Sequence, residues 1–246
     1  MSEDNLQSIA ENILNVEDYE LESTTQSLNQ FNKLIDTIEL QKNASTILDI
    51  GCGSGGFTKV LQSYFELDTA YGIDKNKKLL NKANEKGVQT YELDITNAKL
   101  PFDDNSIDII SCLGVLEHLH EHDFILKEIK RILKKDGFVI FALPNLSSWV
   151  NRLSLLGGWQ PRNSEISTKT VVNLSPWYNG DDEILYHNTT PTYNGFYELL
   201  EYYNYDILSS EPLFPYQRNN ITRIIDYLTK YKISFARRFC IVAQIS

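Results

Sequence analysis

Cysteine is scarce in this chain of 246 residues, and its three cysteines, Cys52, Cys112 and Cys240, are widely separated. Because no Cys-x-x-Cys pair occurs, the sequence predicts neither a disulfide framework nor a zinc knuckle. The apolar runs fall short of the roughly 18 residues that a membrane-spanning helix needs. Residues 1–5 also lack the apolar stretch of a signal peptide. We therefore expect a cytoplasmic protein without a membrane partner.

Positive charge is also in short supply, with 23 Lys and Arg residues against 33 Asp and Glu residues and a net charge of −10. An acidic protein repels phosphate backbones, so we expect no nucleic-acid partner. The rest of the composition, with 42% hydrophobic and 23% charged residues, is typical of a globular protein with a sizeable core. The length suits one large α/β domain or a core domain with an appended lid.

Short apolar runs alternate with helical patterns over the middle of the chain. The run at 46–50 ends in a glycine loop, and apolar residues with the spacing of one helix face follow it from Phe57 to Phe65. Such alternation predicts a parallel, doubly wound sheet of the Rossmann-like α/β class. Strands are predicted at 46–50, 69–73, 88–93, 107–113 and 138–143, and two more, at 205–210 and 237–245, would complete a mostly parallel sheet of seven.

These patterns divide the chain into four predicted regions. They are an N-terminal helical segment at 1–44, a core at 45–144, an inserted lid at 145–192, and a C-terminal part at 193–246 that completes the sheet. The first region has apolar residues with helical spacing that predict helices packed outside the core, namely Leu28, Phe31, Leu34, Ile35 and Ile38. The insert contains all three tryptophans, Trp149, Trp159 and Trp177. Its aromatic residues have two interpretations, as walls of a ligand pocket or as the core of a small lid.

The segment from Asp49 to Gly55, with the sequence DIGCGSG, follows the first strand and precedes an amphipathic helix. Ligands of open α/β sheets bind beyond the carboxyl ends of the strands, where glycines let the backbone approach them. Asp74 ends the second strand, 19 residues past Gly55, at the place of an acid that binds ribose hydroxyls. An N-cap of the next helix is the alternative role for Asp74. The glycines also fit the pattern GxGxxG, so their spacing leaves a nicotinamide cofactor open.

Later segments distinguish between these cofactors. Asp94 ends the third strand, LPFDDNSID (100–108) precedes the fourth, LGVLEH (113–118) follows it, and EIKRILKKDG (128–137) precedes the fifth. With the glycine loop, this ordered set over residues 46–143 resembles the class I S-adenosylmethionine-dependent methyltransferases, specifically their type 11 group. Ile107 and Asp136 depart from the pattern of that family, and both positions concern packing and a turn rather than the ligand site.

The resemblance implies an S-adenosylmethionine cofactor bound along the carboxyl ends of the strands. The glycine loop would bind its methionine part, Asp74 its ribose hydroxyls and Asp94 its adenine amino group. Leu113 and Gly114 would line its reactive side. The full set of binding residues implied in this way is Asp49, Gly51, Cys52, Gly53, Asp74, Lys75, Asp94, Ile95, Leu113 and Gly114. The implied reaction is an in-line displacement at a sulfonium carbon that is already activated.

An oxygen or nitrogen acceptor could also need a general base, and the candidates are His118, His120, His122, His187 and Glu117. His118 is the preferred catalytic residue because it follows the fourth strand near the reactive side, and a structural role is its alternative. The run HLHEH at 118–122 looks like a metal cluster. Alternate residues of a helix point in different directions, however, so we expect no metal site there.

The segment LPNLSSWVNRL at 143–153 resembles MetW-like proteins, with His187 as the counterpart of a later histidine in that group. This resemblance introduces a second hypothesis, a cofactor-binding but non-catalytic or regulatory partner of another enzyme. The preferred hypothesis is an enzyme that methylates a small molecule at oxygen or nitrogen. The motif [D/N]PP[Y/F], which marks the amino-methylating nucleic-acid enzymes that resemble this class, is missing after the fourth strand. The oligomeric state stays open.

Overall fold

A seven-stranded mixed sheet organises the chain. The computed structural model describes residues 6–13, 31–35, 38, 41, 43–175, 186–213 and 220–245. The strands are β1 (Thr46–Ile50), β2 (Thr69–Asp74), β3 (Gln89–Glu92), β4 (Ile107–Leu113), β5 (Leu133–Pro144), β6 (Tyr205–Leu213) and β7 (Arg238–Ile245). Their order is β3-β2-β1-β4-β5-β7-β6, with β7 antiparallel to both of its neighbours and the pairs among β1 to β5 parallel. The predicted Rossmann-like α/β class is confirmed.

Helices connect the strands and cover the sheet. They are α1 (Leu6–Ile13), α2 (Gly56–Tyr64), α3 (Lys77–Glu85), α4 (Asp123–Ile132), α5 (Trp149–Leu156), α6 (Tyr193–Tyr202) and α7 (Asn220–Leu228). Residues 31–35 are also helical. Single 3-10 turns occur at Leu116–His118, Thr229–Tyr231 and Ile233–Phe235. Within the described ranges, no helix combines the length and apolar character required to cross a lipid bilayer.

Apolar side chains bury both faces of the sheet. Leu48 and Ile50 of β1 belong to one core cluster and the preceding Ile47 to the other, because successive strand residues point to opposite faces. Apolar side chains of the N-terminal helical segment are buried in the second cluster with Ile47. They are Phe31, Leu34, Ile35 and Ile38. Leu28 lies outside the described residues.

Asn145 anchors the start of the predicted lid, directly after β5. Its Nδ2 donates hydrogen bonds to the carbonyls of Ser234 and Ala236, at 3.1 and 2.8 Å. Its Oδ1 accepts a hydrogen bond from the backbone N–H of Tyr193 at 3.1 Å. The side chain is fully buried, so these bonds tie the base of the insert to α6 and to the segment before β7.

The tryptophans of the insert contribute to packing where they are described. Trp149 Nε1 donates a hydrogen bond to Asp226 Oδ1 at 2.5 Å, and the Arg237 guanidinium lies 5.1 Å from its ring centroid. Trp159 packs closely against Gly157, where an added Cβ would lie 1.9 Å from the indole ring. Trp177 lies outside the described residues.

Candidate functional site

The loop after β1 turns around three glycines with left-handed backbone conformation. Gly51, Gly53 and Gly55 have φ values of 76°, 52° and 73°. The N–H of Gly51 donates to the Ile73 carbonyl at 2.7 Å, which fixes the loop to the end of β2. At Gly51 an added Cβ would lie 2.3 Å from Cγ2 of Val115. The glycine at this position is therefore required both by its φ and by the close approach of the turn after β4.

Asp74, at the end of β2, accepts two backbone hydrogen bonds. Its Oδ2 accepts from the N–H of Gly53 at 3.0 Å, and its Oδ1 accepts from the N–H of Asn76 at 2.7 Å. Each carboxylate oxygen keeps a lone pair for a further donor. The N-cap of α3 is Asn76, whose side chain accepts from the N–H groups of Lys78 and Leu79. The alternative of Asp74 as the N-cap is therefore wrong.

Asp94 follows β3 and supplies a second carboxylate. Thr96 donates to its Oδ1 from the hydroxyl at 2.6 Å and from the backbone N–H at 3.0 Å. These hydrogen bonds hold the pKa of Asp94 below its usual value, so the group is ionised at neutral pH. An ionised carboxylate only accepts hydrogen bonds, which suits a ligand that presents donors.

A pocket of about 230 Å³ lies at the carboxyl ends of β1 to β4. The strand order reverses between β1 and β4, which is where open α/β sheets bind their ligands. Several residues predicted from the sequence line this pocket, which we call the cofactor pocket for that reason, namely Gly51, Asp74, Lys75, Asp94, Ile95, Gly114 and His118. Residues not predicted also line it, namely Ile73, Leu93, Thr96, Val115 and Leu119. Each of these is within two residues of a predicted one, and that adjacency is the signal that could have identified them.

Other predicted cofactor residues lie outside the lining of this pocket, namely Asp49, Cys52, Gly53 and Leu113. Asp49 is buried, and its carboxylate accepts hydrogen bonds from Thr58 Oγ1 at 2.5 Å and from Ser111 Oγ at 2.7 Å. These bonds join β1 to α2 and β4 beneath the glycine loop. Burial raises the pKa of the Cys52 thiol to about 12, so this thiol is neutral.

The turn after β4 is held by the end of the predicted lid. The backbone N–H of Asn188 donates to the Glu117 carbonyl at 2.8 Å, and the Asn188 side chain donates to the His118 carbonyl at 2.5 Å. Nδ1 of His118 lies 3.1 Å from the Tyr186 carbonyl. Because a carbonyl only accepts, Nδ1 donates there, and Nε2 of a neutral ring is left as an acceptor.

The histidines of the HLHEH run do not converge. His122 is buried, its Nε2 bonds a backbone carbonyl at 3.0 Å, and burial lowers its pKa. His120 is exposed. The groups that could share a metal ion, within the part of the chain that is described, are instead Glu117, His118 and His187, whose ligand atoms lie within 4.8 Å of one another.

A second pocket, of about 250 Å³, contains Glu117 from the turn after β4. Its other ionisable side chains come from distant parts of the chain and are Arg162, His187, Arg237 and Arg238. The remaining lining residues lie between 144 and 163, and none of the lining residues is Phe, Tyr or Trp. No local motif marks the three arginines, and sequence reasoning missed them. The described tryptophans of the insert do not form the walls of this pocket.

Burial changes the ionisation of two groups in the second pocket. Glu117 is only 3% exposed, and burial raises its pKa above the usual value. Burial lowers the pKa of His187 to about 4, so its imidazole is neutral at pH 7. Glu117 Oε2 and His187 Nδ1 have no hydrogen-bond partner among the described residues. Buried polar atoms in this state are costly unless a ligand or water satisfies them.

Comparison with known proteins identifies the central part of the chain. Residues 48–141 match the family model described as a methyltransferase domain. A protein of Schizosaccharomyces pombe, named as an uncharacterized methyltransferase, is 34% identical over 109 residues. The match covers 40% of this chain and 39% of that protein, so the chain spans less than half the length of this relative.

Solved structures share the fold over nearly the whole chain. A protein of Pyrococcus horikoshii gives a TM-score of 0.60 at 21% identity and covers 96% of this chain and 95% of its own. A chain from the complex between a Haloferax volcanii methyltransferase activator and a putative methyltransferase gives a TM-score of 0.62 at 14% identity, with 99% of both chains covered. At such identities the likeness shows the fold alone.

Residues 48–141 thus match a methyltransferase domain, and the match covers less than half of the chain. The sheet order, the glycine loop and the carboxylates after β2 and β3 are those expected of a class I methyltransferase domain, which takes S-adenosylmethionine as its methyl donor. The family match favours this cofactor over the nicotinamide cofactor that the glycine spacing left open.

Proposed function

We propose that this chain is an enzyme that transfers a methyl group from S-adenosylmethionine to a small-molecule acceptor, at oxygen or nitrogen, by in-line displacement. The observation that carries this proposal is the pocket at the carboxyl ends of β1 to β4, with Asp74 and Asp94 in its lining. A carboxylate accepts hydrogen bonds from a ribose diol or an adenine amino group. The glycine loop lets the backbone approach the remaining part of the cofactor.

Asp74 and Asp94 are the proposed ligands of the nucleoside part of the cofactor. The two hydroxyls of the ribose would donate to the free lone pairs of Asp74, whose carboxylate is already oriented by backbone N–H groups. Asp94 would accept from the adenine amino group. Ile95 would pack against the adenine ring and Lys75 would lie beside it, since both line the same pocket.

The methionine part of the cofactor would lie along Gly51 and Gly53 toward Gly114. Asp49 supports this arrangement from beneath, since it joins β1 to α2 and β4. Cys52 and Leu113 would contribute backbone and packing around the same ends of β1 and β4. S-adenosylmethionine supplies a methyl group that is already activated on a sulfonium, so the protein mainly provides position and a dry cavity.

His118 is the proposed general base for an acceptor hydroxyl or amine that must lose a proton. It lines the cofactor pocket, and the hydrogen bond of its Nδ1 to the Tyr186 carbonyl leaves Nε2 as the accepting atom. Its ring centroid lies 5.2 Å from that of His187, which lines the second pocket. His118 is therefore near both of the molecules that would react.

A small molecule is favoured as the acceptor by size and by charge. The second pocket, of about 250 Å³, adjoins the same turn as the cofactor pocket. A net charge of −10 opposes binding of nucleic-acid backbones. In this proposal the insert at 145–192 is the acceptor lid. Methyl transfer to a panel of metabolites, followed by mass spectrometry, tests this half of the proposal.

Isothermal titration calorimetry with S-adenosylmethionine and S-adenosylhomocysteine tests the cofactor half. Asp74→Ala is expected to weaken binding by about 1.5–3 kcal/mol, the scale of hydrogen bonds to a charged group. Asn76→Ala is the matched control, because it removes the N-cap of α3 at a cost of about 1 kcal/mol in stability and leaves the carboxylate in place. If the unaltered protein binds neither ligand, the proposal fails. Equal affinities in the two variants would contradict the proposal that Asp74 binds the ribose hydroxyls.

A cofactor-binding partner of another enzyme is the second candidate function. Leu153, Leu155 and Leu156 of α5 are exposed by 45%, 60% and 84%, which leaves an apolar strip available for a protein partner. The MetW-like segment overlaps the start of the same helix. A stable partner recovered by pull-down, without methyl transfer to any metabolite of the panel, would replace the catalytic proposal. Turnover by the isolated chain would remove this candidate.

A further inference from the structure

The cofactor pocket and the second pocket adjoin at the turn after β4. Gly114 lines the cofactor pocket, and an added Cβ there would lie 3.6 Å from Arg238 Nη2 and 3.7 Å from Glu117 Oε1. Both of these side chains line the second pocket. The rings of His118 and His187, one in each pocket, have centroids 5.2 Å apart. A molecule in the second pocket would therefore lie beside the proposed reactive side of the cofactor.

Arg238 differs from the other two arginines of the second pocket in its ionic partners. Arg162 Nη1 lies 3.2 Å from Glu165 Oε1, and Arg237 Nε lies 3.1 Å from Asp226 Oδ1. The Arg238 side chain forms no ion pair or hydrogen bond with another side chain in the described part of the protein. Arg238 interacts with the Glu117 carboxylate through space, but no carboxylate among the described residues lies within ion-pair distance of its guanidinium.

Two buried atoms on the wall of the same pocket also need partners. Glu117 Oε2 and His187 Nδ1 have no hydrogen-bond partner among the described residues. Glu117 and Arg238 flank Gly114 without forming an ion pair with each other. An exposed arginine is ordinarily just solvated, but solvation of Arg238 does not satisfy buried atoms nearby. A ligand with acceptors at one end and a donor at the other would satisfy all three groups.

We infer that the methyl acceptor is an anionic small molecule whose carboxylate or phosphate binds Arg238 and whose hydroxyl or amine faces Glu117. This inference rests on the proposed function. Guanidinium groups bind such oxyanions through paired, charge-assisted hydrogen bonds. The reverse orientation would bring the anion against the Glu117 carboxylate, where like charges repel. Glu117 Oε1 lies 3.7 Å from the Cβ position of Gly114, so the hydroxyl or amine at this end is also beside the cofactor pocket.

A metal ion is the competing explanation for the buried atoms. The ligand atoms of Glu117, His118 and His187 lie within 4.8 Å of one another, which a divalent cation could bridge. Arg238 lines the same pocket without an ion pair among the described residues, however, and its positive charge opposes a divalent cation. We therefore expect the anion to bind without added metal.

Ligand-observed NMR titrations on protein saturated with S-adenosylhomocysteine test the inference. The probes are matched pairs, lactate with 1,2-propanediol and glycerol 3-phosphate with glycerol, which differ in the anionic group. At least one anion should bind about tenfold or more tightly than its neutral counterpart, the scale of hydrogen bonds to a charged group. The pair that shows the difference identifies the anion as a carboxylate or a phosphate.

Variants of Arg238 assign the preference to this residue. Arg238→Met should abolish the preference for the anion, and Arg238→Lys should restore part of it. Lys135→Met is the matched control, because Lys135 is an exposed cation at the opposite end of β5 and its loss changes the net charge equally. The affinity of each variant for S-adenosylhomocysteine should stay within about twofold.

Three results would overturn the inference. The unaltered protein could show no preference for either anion, or Arg238→Met could behave like Lys135→Met. Anion binding that requires Mn²⁺ and disappears with EDTA would assign the buried atoms to a metal instead. Failure of the proposed function can be told apart from failure of this inference, because in that case the protein does not bind S-adenosylhomocysteine. The anion titrations, repeated without that ligand, still decide the role of Arg238.

Discussion

The two pockets differ in how the chain builds them. The cofactor pocket takes its residues in chain order from the ends of neighbouring parallel strands, and its carboxylate at Asp74 is oriented by backbone N–H groups. The second pocket combines Glu117 with residues such as Arg162 and Arg238, which lie far away in the sequence. The first therefore depends on the backbone geometry of the sheet, and the second depends on side chains that join distant segments.

This difference predicts different sensitivities to substitution. The cofactor pocket should lose affinity for its ligand when a turn cannot keep its backbone conformation. The second pocket should lose its structure when a buried polar side chain that joins distant segments is removed. Asn145 is such a side chain, since its bonds reach residues 48 to 91 positions away.

Asn145→Ala is expected to have the largest effect on the second pocket, a loss of about 3 kcal/mol in the free energy of unfolding. The substitution leaves the Ser234 and Ala236 carbonyls and the Tyr193 N–H without their buried partner. Chemical denaturation measures the loss, and calorimetry should find the affinity of the folded variant for S-adenosylhomocysteine within about twofold of the original.

Asn84→Ala is the control for this prediction. Asn84 is exposed and donates a single side-chain hydrogen bond to Thr90 Oγ1 at 2.7 Å, so its loss should cost about 0.5 kcal/mol or less. Equal costs for the two asparagines would contradict the proposed role of Asn145. A variant at Asn145 that keeps its stability but loses the cofactor would contradict the separation of the two pockets.

Gly51→Ala and Gly53→Ala test the backbone dependence of the cofactor pocket. Both have positive φ, so each alanine costs about 1–2 kcal/mol of backbone strain. Only at Gly51 does the added Cβ meet another atom, Cγ2 of Val115 at 2.3 Å, which adds about 1–3 kcal/mol. Denaturation and calorimetry should therefore show larger losses of stability and of affinity for S-adenosylhomocysteine in Gly51→Ala. The reverse order would disprove the close approach of the turn after β4.

Local patterns predicted most of the fold and much of the cofactor pocket. The bounds predicted for the first and fourth strands, 46–50 and 107–113, agree with β1 and β4 because buried parallel strands are continuous apolar runs with clear ends. Asp74 and Asp94 could be found because each directly ends or follows such a run. Motif spacing does not give the direction of a side chain, however. Asp49 fits the family pattern, yet its carboxylate is bonded to α2 and β4 outside the pocket lining.

The second pocket could not be predicted in the same way. Arg238 begins a strand in which five consecutive apolar residues are buried, and this run does not predict where the arginine before it points. Glu117 and His187, which line the same pocket, lie far from Arg238 in the sequence. Which segments meet is decided by long-range contacts such as those of Asn145, and no local spacing in the sequence records them.

The pH dependence of stability provides a smaller test of the second pocket. Burial lowers the pKa of His187 to about 4, while an unfolded histidine titrates near 6.5. The unfolded state therefore binds the proton first, so the contribution of this residue to stability is complete above pH ~6.5 and is lost as the pH falls toward 4. The original protein should lose more stability between about pH 7 and pH 5 than His187→Gln does. For one proton the slope is at most about 1.4 kcal/mol per pH unit, and solvent screening reduces it.

His120→Gln is the control for the pH experiment, because His120 is exposed on the same turn region. Its stability should follow the curve of the original protein. Glu117, whose pKa burial raises, contributes with the opposite sign and is present in all three proteins. Curves for His187→Gln and the original protein that run parallel would show that His187 is not held neutral by the second pocket.

Lys75→Met is expected to have the smallest effect and sharpens the assignment of the adenine end of the cofactor pocket. Lys75 is exposed and lines this pocket beside Asp94. Two unit charges in water interact by only about 1 kcal/mol at 4 Å and by less at greater distance. Calorimetry should therefore find changes of less than about threefold in the affinities for S-adenosylmethionine and S-adenosylhomocysteine. Lys78→Met, on the exposed face of α3, is the control and should give changes of similar size. A loss of about tenfold or more would instead make Lys75 a direct ligand of the cofactor carboxylate and would reverse the proposed direction of the cofactor in its pocket.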